Sequence, residues 1–177
     1  MADNTNLTKL VRAAMFAALA VGLGYSLMLV PNIELITVII FLSGLTLGIR
    51  WGILVGAVSE FIFSAMNPLG SSLMFPPLIA AQIISMIIVG LAGGLLRPVF
   101  FKKKLSFFRI VTIGLTGFLL TFIFDSLTTL SYPIGSGFDW PQIWGIYLSG
   151  IGFTIVHQLS NGFIFAVSVP GVVKYLS

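Results

Sequence analysis

Long, smoothly apolar runs separated by short polar or turn-forming clusters occupy almost the whole chain, and within the runs apolar and polar positions do not alternate. Unbroken apolar stretches approaching about 20 residues predict helices rather than strands. On that pattern helices are expected over residues 8–29, 33–49, 51–66, 76–96, 109–130 and 142–174. Thr8 is placed to cap the first and Pro31 to stop it, Pro76-Pro77 to open the fourth, and Arg97-Pro98 to end it. Gly48-Ile49-Arg50-Trp51-Gly52 reads as a tight fold between the second and third. Both of these are short for a span of about 20 residues, so each is expected to tilt or to end below the surface. The segment from Tyr132 to Pro141 reads as a loop, and Pro170 as a possible break in the last helix.

Composition turns this pattern into a membrane protein. Of 177 residues, 58% are apolar and 8% charged, against about 25% charged in an ordinary soluble domain. The mean hydropathy is +1.11. Lipid must therefore solvate much of the surface, and the smooth runs favour helices over a transmembrane barrel. The fold class expected is an all-α integral membrane protein, a single transmembrane domain with six helices. With both termini cytoplasmic, all 9 Lys and Arg residues fall on one side: Lys9 and Arg12, Arg50, then Arg97, Lys102, Lys103, Lys104 and Arg109, then Lys174. The positive-inside rule expects such an excess, which also explains the high isoelectric point without nucleic-acid binding. The first apolar run lacks a persuasive cleavage site and reads as a retained helix. The absence of cysteine excludes disulfides, Cys-based metal sites and thiol catalysis.

Polar groups inside such sequence are costly to insert and by default mark a ligand or ion site. They are Glu34, Glu60, Gln82, Asp125, His157, Gln158 and Asn161, with Asn67 in the connector after the third helix. The carboxylates cluster toward the outer side, opposite the basic residues, and His157 and Asn161, four apart, share a helix face. No Lys or Arg is expected in the outer half, which disfavours strongly anionic ligands and favours neutral or cationic ones. Tyr132, Trp140 and Trp144 suit either stacking on a flat ligand or an interfacial aromatic belt. In the first helix, Ala13/Ala17 and Ala14/Ala18 make flat strips for close helix approach. The glycines Gly44, Gly48, Gly52 and Gly56 are expected to let the second and third helices pack on each other or on the first. A single histidine is too few for a histidine-rich metal site. No hydrolase or phosphate-binding motif is present, so uphill transport would need a partner or an ion gradient.

With these features the chain resembles the substrate-binding S components of energy-coupling factor (ECF) transporters, the bacterial vitamin uptake systems. The resemblance rests on size, span number, Ala-x-x-x-Ala in the first helix, Pro31-Asn32-Ile33-Glu34 and the glycines after it. It also includes Glu60 with Asn67-Pro68 beyond, and Ala81-Gln82 followed by Gly90 to Gly94. It implies a protein of the bacterial cell membrane that captures a vitamin or vitamin precursor from outside and is not an enzyme. It also implies a membrane coupling (T) subunit and two ATPase subunits as partners, ATP being used by those partners and no cofactor by this chain. Ala13, Ala14, Ala17 and Ala18 would form the docking strip. Glu34, Glu60, Asn67, Gln82, Asp125, His157 and Asn161 are the substrate-binding candidates. The histidine-bearing N-terminal segment of the metal-transporting members is absent, against a metal substrate.

Two other readings fit the residues. One is an autonomous secondary transporter or channel, acting as a homo-oligomer, in which Glu60 and Asp125 relay protons. The other is a membrane enzyme or assembly factor, disfavoured by the want of a nucleophile, metal cluster or acid–base pair. Glu60→Gln and Asp125→Asn are expected to weaken binding of a cationic ligand. Bulky changes at Ala14 or Ala18 are expected to block transport and spare binding.

Overall fold

A computed structural model describes residues 3–100 and 106–176. Among them are seven α-helices, one 3-10 turn at Ser72–Met74 and no strand. The helices are α1 (Asp3–Leu27), α2 (Ile36–Leu47), α3 (Ile49–Ala65), α4 (Pro76–Phe100), α5 (Phe107–Gly135), α6 (Trp140–Ser149) and α7 (Ile151–Leu176). Four of them, α1, α4, α5 and α7, are long and apolar enough to cross a membrane. The tribasic stretch Lys102–Lys104 lies outside the described residues.

Several boundaries depart from the sequence pattern. The last helix, expected as one piece over 142–174, is two, with the break at Gly150 rather than Pro170. A capping box starts α6: the Gln142 N–H donates to Asp139 Oδ1 at 2.9 Å and the Asp139 N–H to Gln142 Oε1 at 3.1 Å. Pro98, Pro133 and Pro170 all lie inside helices. Pro98 and Pro133 sit in the final turn, where each removes one backbone bond and leaves no long stretch to derail. The first helix starts at Asp3 instead of using Thr8 as its cap. The second is only 12 residues long, because Asn32 to Leu35 form an entry loop in which Asn32 holds a left-handed φ of 60°.

Backbone contact, rather than side-chain packing, joins α2, α3 and α4. A Cβ on Gly52 would fall on the carbonyl of Gly90, and one on Gly90 would fall on the carbonyl of Gly52. Gly56 meets the Met86 carbonyl in the same way, Gly44 that of Gly90, and Gly93 that of Phe41. The ladder's main partner is therefore α4, whereas packing of the second and third helices on each other or on the first was expected; Gly52 does also press on Gly44, with 2.6 Å from its added Cβ to the Gly44 Cα. Gly48 serves differently. Its φ of 95° lets α2 end and α3 begin on the same residue. A second close pair, Gly114 and Gly162, joins α5 to α7, each added Cβ lying 3.2 Å from the other's carbonyl oxygen.

Helix α2, apolar all round, is buried along most of its length, as expected of a helix enclosed by others. Phe41 on it packs on Phe165 of α7 and Phe100 of α4, with ring centroids 5.1 and 6.4 Å apart. Above this core, toward the C-terminal end of α1 and the N-terminal ends of α2 and α7, polar residues replace apolar ones.

Candidate functional site

The entry loop to α2, the second half of α5 and the first half of α7 converge at that end of the bundle. Glu34 sits where α2 begins, and its Oε2 accepts the Thr37 N–H at 2.9 Å. That bond satisfies one of the donors a helix N-terminus leaves orphaned, in a place where the helix dipole favours a negative group. Its other oxygen, Oε1, accepts from Asn161 Nδ2 at 2.7 Å across 127 residues of sequence. The same amide nitrogen lies 3.1 Å from His157 Nε2. The opposite ring nitrogen, Nδ1, is 2.8 Å from Asp125 Oδ1, and Gln158 Nε2 donates to Asp125 Oδ2 at 3.3 Å. Glu34, Asn161, His157, Asp125 and Gln158 thus form one continuous chain of hydrogen bonds linking α2, α7 and α5. Asn161 and Gln158 are buried at 0% and 4% exposure, which holds their amides in place and orients the histidine between two carboxylates.

This chain borders a cavity of about 430 Å³, within the range of small-molecule sites. Glu34, Asp125 and His157 line it, with Asn32 beside them. The apolar wall includes Phe63, Phe124 and Phe153, and Thr128, Thr129 and Thr154 add hydroxyls. No Lys or Arg is among the lining residues. Phe63 is held by Tyr25, whose ring stacks at 5.1 Å and whose hydroxyl donates to the Ile62 carbonyl at 3.1 Å.

The other candidates lie elsewhere. Asn67 forms a turn, its Oδ1 accepting the Leu69 N–H at 2.9 Å, and does not line the cavity. Glu60, 1% exposed, faces the interior of the helix bundle, with Oε1 bonded to Ser64 Oγ at 2.6 Å and Oε2 lacking a partner. Continuing the α3–α4 pairing of Gly52 with Gly90 and Gly56 with Met86 by one turn brings Glu60 level with Gln82, whose Oε1 is likewise buried without a partner. Neither Glu60 nor Gln82 lines the cavity. Trp140 and Trp144 are 70% and 55% exposed and also stand outside it. Along α1 the alanines divide: Ala13 is buried against α3, Ala14 is exposed at the same groove, and Ala18 is exposed beside Met15 and Leu19. Ala17 is half-buried in the groove shared with Leu54, Val55 and Val58 of α3.

Sequence reasoning passed over the phenylalanines and threonines of the lining. A signal for the threonines exists. Thr128 and Thr129 follow Asp125 by three and four positions, and Thr154 precedes His157 by three, so each shares a helix face with a residue already singled out. The phenylalanines, among 16 in the chain, carry no such mark.

The arrangement is a ligand-sized cavity with two carboxylates, a positioned imidazole and aromatic walls. Among the described residues no group of three or more His, Cys, Asp or Glu residues is placed to hold a metal ion. The family model described as ECF transporter, substrate-specific component, matches residues 8–173. No curated protein matches the chain, and no solved structure does.

Proposed function

The chain belongs to the substrate-specific components of ECF transporters, and from that premise we propose that it captures a neutral or cationic vitamin or vitamin precursor at the cavity bordered by Glu34, Asp125 and His157. Membership makes it a multi-pass membrane protein of transport rather than an enzyme, working with coupling and ATPase subunits on a small molecule. The observation that carries the finer reading is the hydrogen-bonded chain from Glu34 to Gln158 along a cavity of about 430 Å³. Such a network fixes polar groups before a ligand arrives, which lowers the ordering cost of binding.

In this reading six helices, α1 to α5 and α7, cross the bacterial cell membrane, with both termini cytoplasmic and the cavity opening outward. Its support is charge: Arg50, Arg97, Arg109 and Lys174 lie at or near helix ends, and Lys9 and Arg12 in the first half of α1, all away from the cavity lining. Arg97 lies beside the α2–α3 turn, with its Nη1 4.0 Å from where a Cβ on Gly48 would stand. The exposed strip of Ala14 and Ala18, continued by the Ala13/Ala17 groove, is the docking face for the coupling subunit, which works with two ATPases. Glu60, Asn67 and Gln82 then support the pocket's surroundings rather than touch the ligand.

Native mass spectrometry on protein purified gently from its host tests the proposal. A co-purifying small molecule together with coupling and ATPase subunits is the expected result. A homo-oligomer that takes up its solute without ATP or partner subunits would overturn it.

A further inference from the structure

The hydrogen-bond inventory of the cavity constrains what it can hold. Asn161 Nδ2 is a donor with no lone pair to offer, and it lies within bonding distance of both Glu34 Oε1, at 2.7 Å, and His157 Nε2, at 3.1 Å. Nε2 must therefore be the accepting nitrogen, and the ring proton sits on Nδ1, donated to Asp125 Oδ1 at 2.8 Å. In this arrangement the Nδ1 proton is committed inside the network and is not offered to a ligand.

The hydroxyl protons follow the same pattern. Thr128 Oγ1 donates to the Phe124 carbonyl at 2.8 Å and Thr154 Oγ1 to the Ile151 carbonyl at 3.1 Å, so both present lone pairs to the cavity. Each carboxylate oxygen of Glu34 and Asp125 accepts one bond and keeps capacity for another. The wall is therefore rich in acceptors, carries two carboxylates and has no Lys or Arg among its lining residues. An anionic ligand would meet like charge there with nothing to offset its desolvation. A ligand bringing N–H donors and positive charge would satisfy the vacant lone pairs with charge-assisted bonds. The aromatic wall of Phe63, Phe124 and Phe153 favours a flat cation over a compact ammonium, since aromatic rings attract positive charge and stack on planar groups.

We propose that the cavity takes a planar nitrogen cation carrying N–H donors, such as an amidinium, a guanidinium or an amino-substituted heteroaromatic cation, held between Glu34 and Asp125. This rests on reading the cavity as the transporter's substrate pocket, and it narrows the substrate to one chemical class.

Three probes of nearly one shape and different charge test it: benzamidinium, benzamide and benzoate, titrated calorimetrically into the purified full chain. Benzamidinium is expected to bind at least about tenfold more tightly than benzamide, with benzoate the weakest. Its advantage should shrink in Glu34→Gln and in Asp125→Asn. Benzoate or benzamide binding as well as benzamidinium, or no binding of any probe, would overturn the proposal, and these comparisons need no variant to fold. An unchanged preference in both folded variants would overturn it too. The transport reading fails separately. A chain that prefers benzamidinium but travels with no coupling or ATPase subunit keeps this inference and loses that one, whereas a chain found with those subunits that prefers benzoate does the reverse.

Discussion

Adding one methyl group at Gly90 should cost this protein more than most changes in its cavity. A Cβ there would overlap the carbonyl of Gly52 and lie 3.0 Å from the Ile53 nitrogen. Those are backbone atoms of α3 and cannot swing aside. Restoring carbon contacts to roughly 3.5 Å requires the axes of α3 and α4 to part by about 1 Å, which also loosens the neighbouring contacts at Gly44, Gly56 and Gly93. Overpacking of this kind costs typically about 1–3 kcal/mol, and with the rigid backbone on both sides we expect the upper end, about 3 kcal/mol. The control is Gly22→Ala. Its Cβ meets nothing within 4 Å, so the same substitution should gain about 0.5 kcal/mol from the better helix propensity of alanine. For a chain of this size 1 kcal/mol moves the melting temperature by about 2–4 °C. Gly90→Ala should therefore melt about 6–12 °C below the parent in detergent, followed by the fraction that remains monodisperse after heating, while Gly22→Ala stays level or rises slightly. A Gly90→Ala protein melting within about 2 °C of the parent would mean that α3 and α4 separate freely and that the seam is not a structural joint.

Other expectations follow from the site and the surface. Asp125→Asn, which removes a charge and disturbs the bonds to His157 and Gln158, should weaken binding of the co-purified ligand by about 10–100-fold by calorimetry. Glu60→Gln should change it by less than about threefold, because Glu60 lies off the cavity; equal losses would bring Glu60 into binding. The nitrogen NMR signals of the chain's 1 histidine should show the proton on Nδ1 and a bare Nε2, and a protonated Nε2 would refute the assigned arrangement. Ala14→Trp or Ala18→Trp should abolish uptake in cells while leaving ligand affinity intact; loss of affinity in a folded protein would sink the docking role. Since the chain contains 0 cysteines, single Ser106→Cys and Ser136→Cys variants can report orientation. They flank α5, and a membrane-impermeant maleimide should label only the second in intact cells.

Much of this architecture could be read from residue order because membrane insertion acts locally: a long apolar run must satisfy its own backbone bonds and does so as a helix. Glu34, Asp125, His157 and Asn161 stood out for the same reason, as polar groups in costly surroundings. What could not be read is their meeting. Glu34 and Asn161 are 127 residues apart, and neither carries a sign of which helix faces which. Glu60 looked equivalent to Asp125 by every local measure. Only the α3–α4 pairing, set by glycines whose partners are backbone atoms, turns it away from the cavity. Pro98 and Pro133 misled for a related reason, since near a helix end the penalty of a missing N–H is small. The break at Gly150 lies in a smooth apolar stretch with no proline to mark it, so the apolar profile conceals it.

The glycine seam has a bearing on how such a protein can diversify. Helices α2, α3 and α4 meet backbone to backbone, so their fit tolerates almost no added atom at the joints. Across the cavity, α5 and α7 contribute Asp125, Thr128, Thr154 and His157 through side chains alone. The first group acts as a chassis and the second as interchangeable fittings. New ligand preferences can therefore arise by substitution on α5 and α7 without renegotiating the frame that carries them.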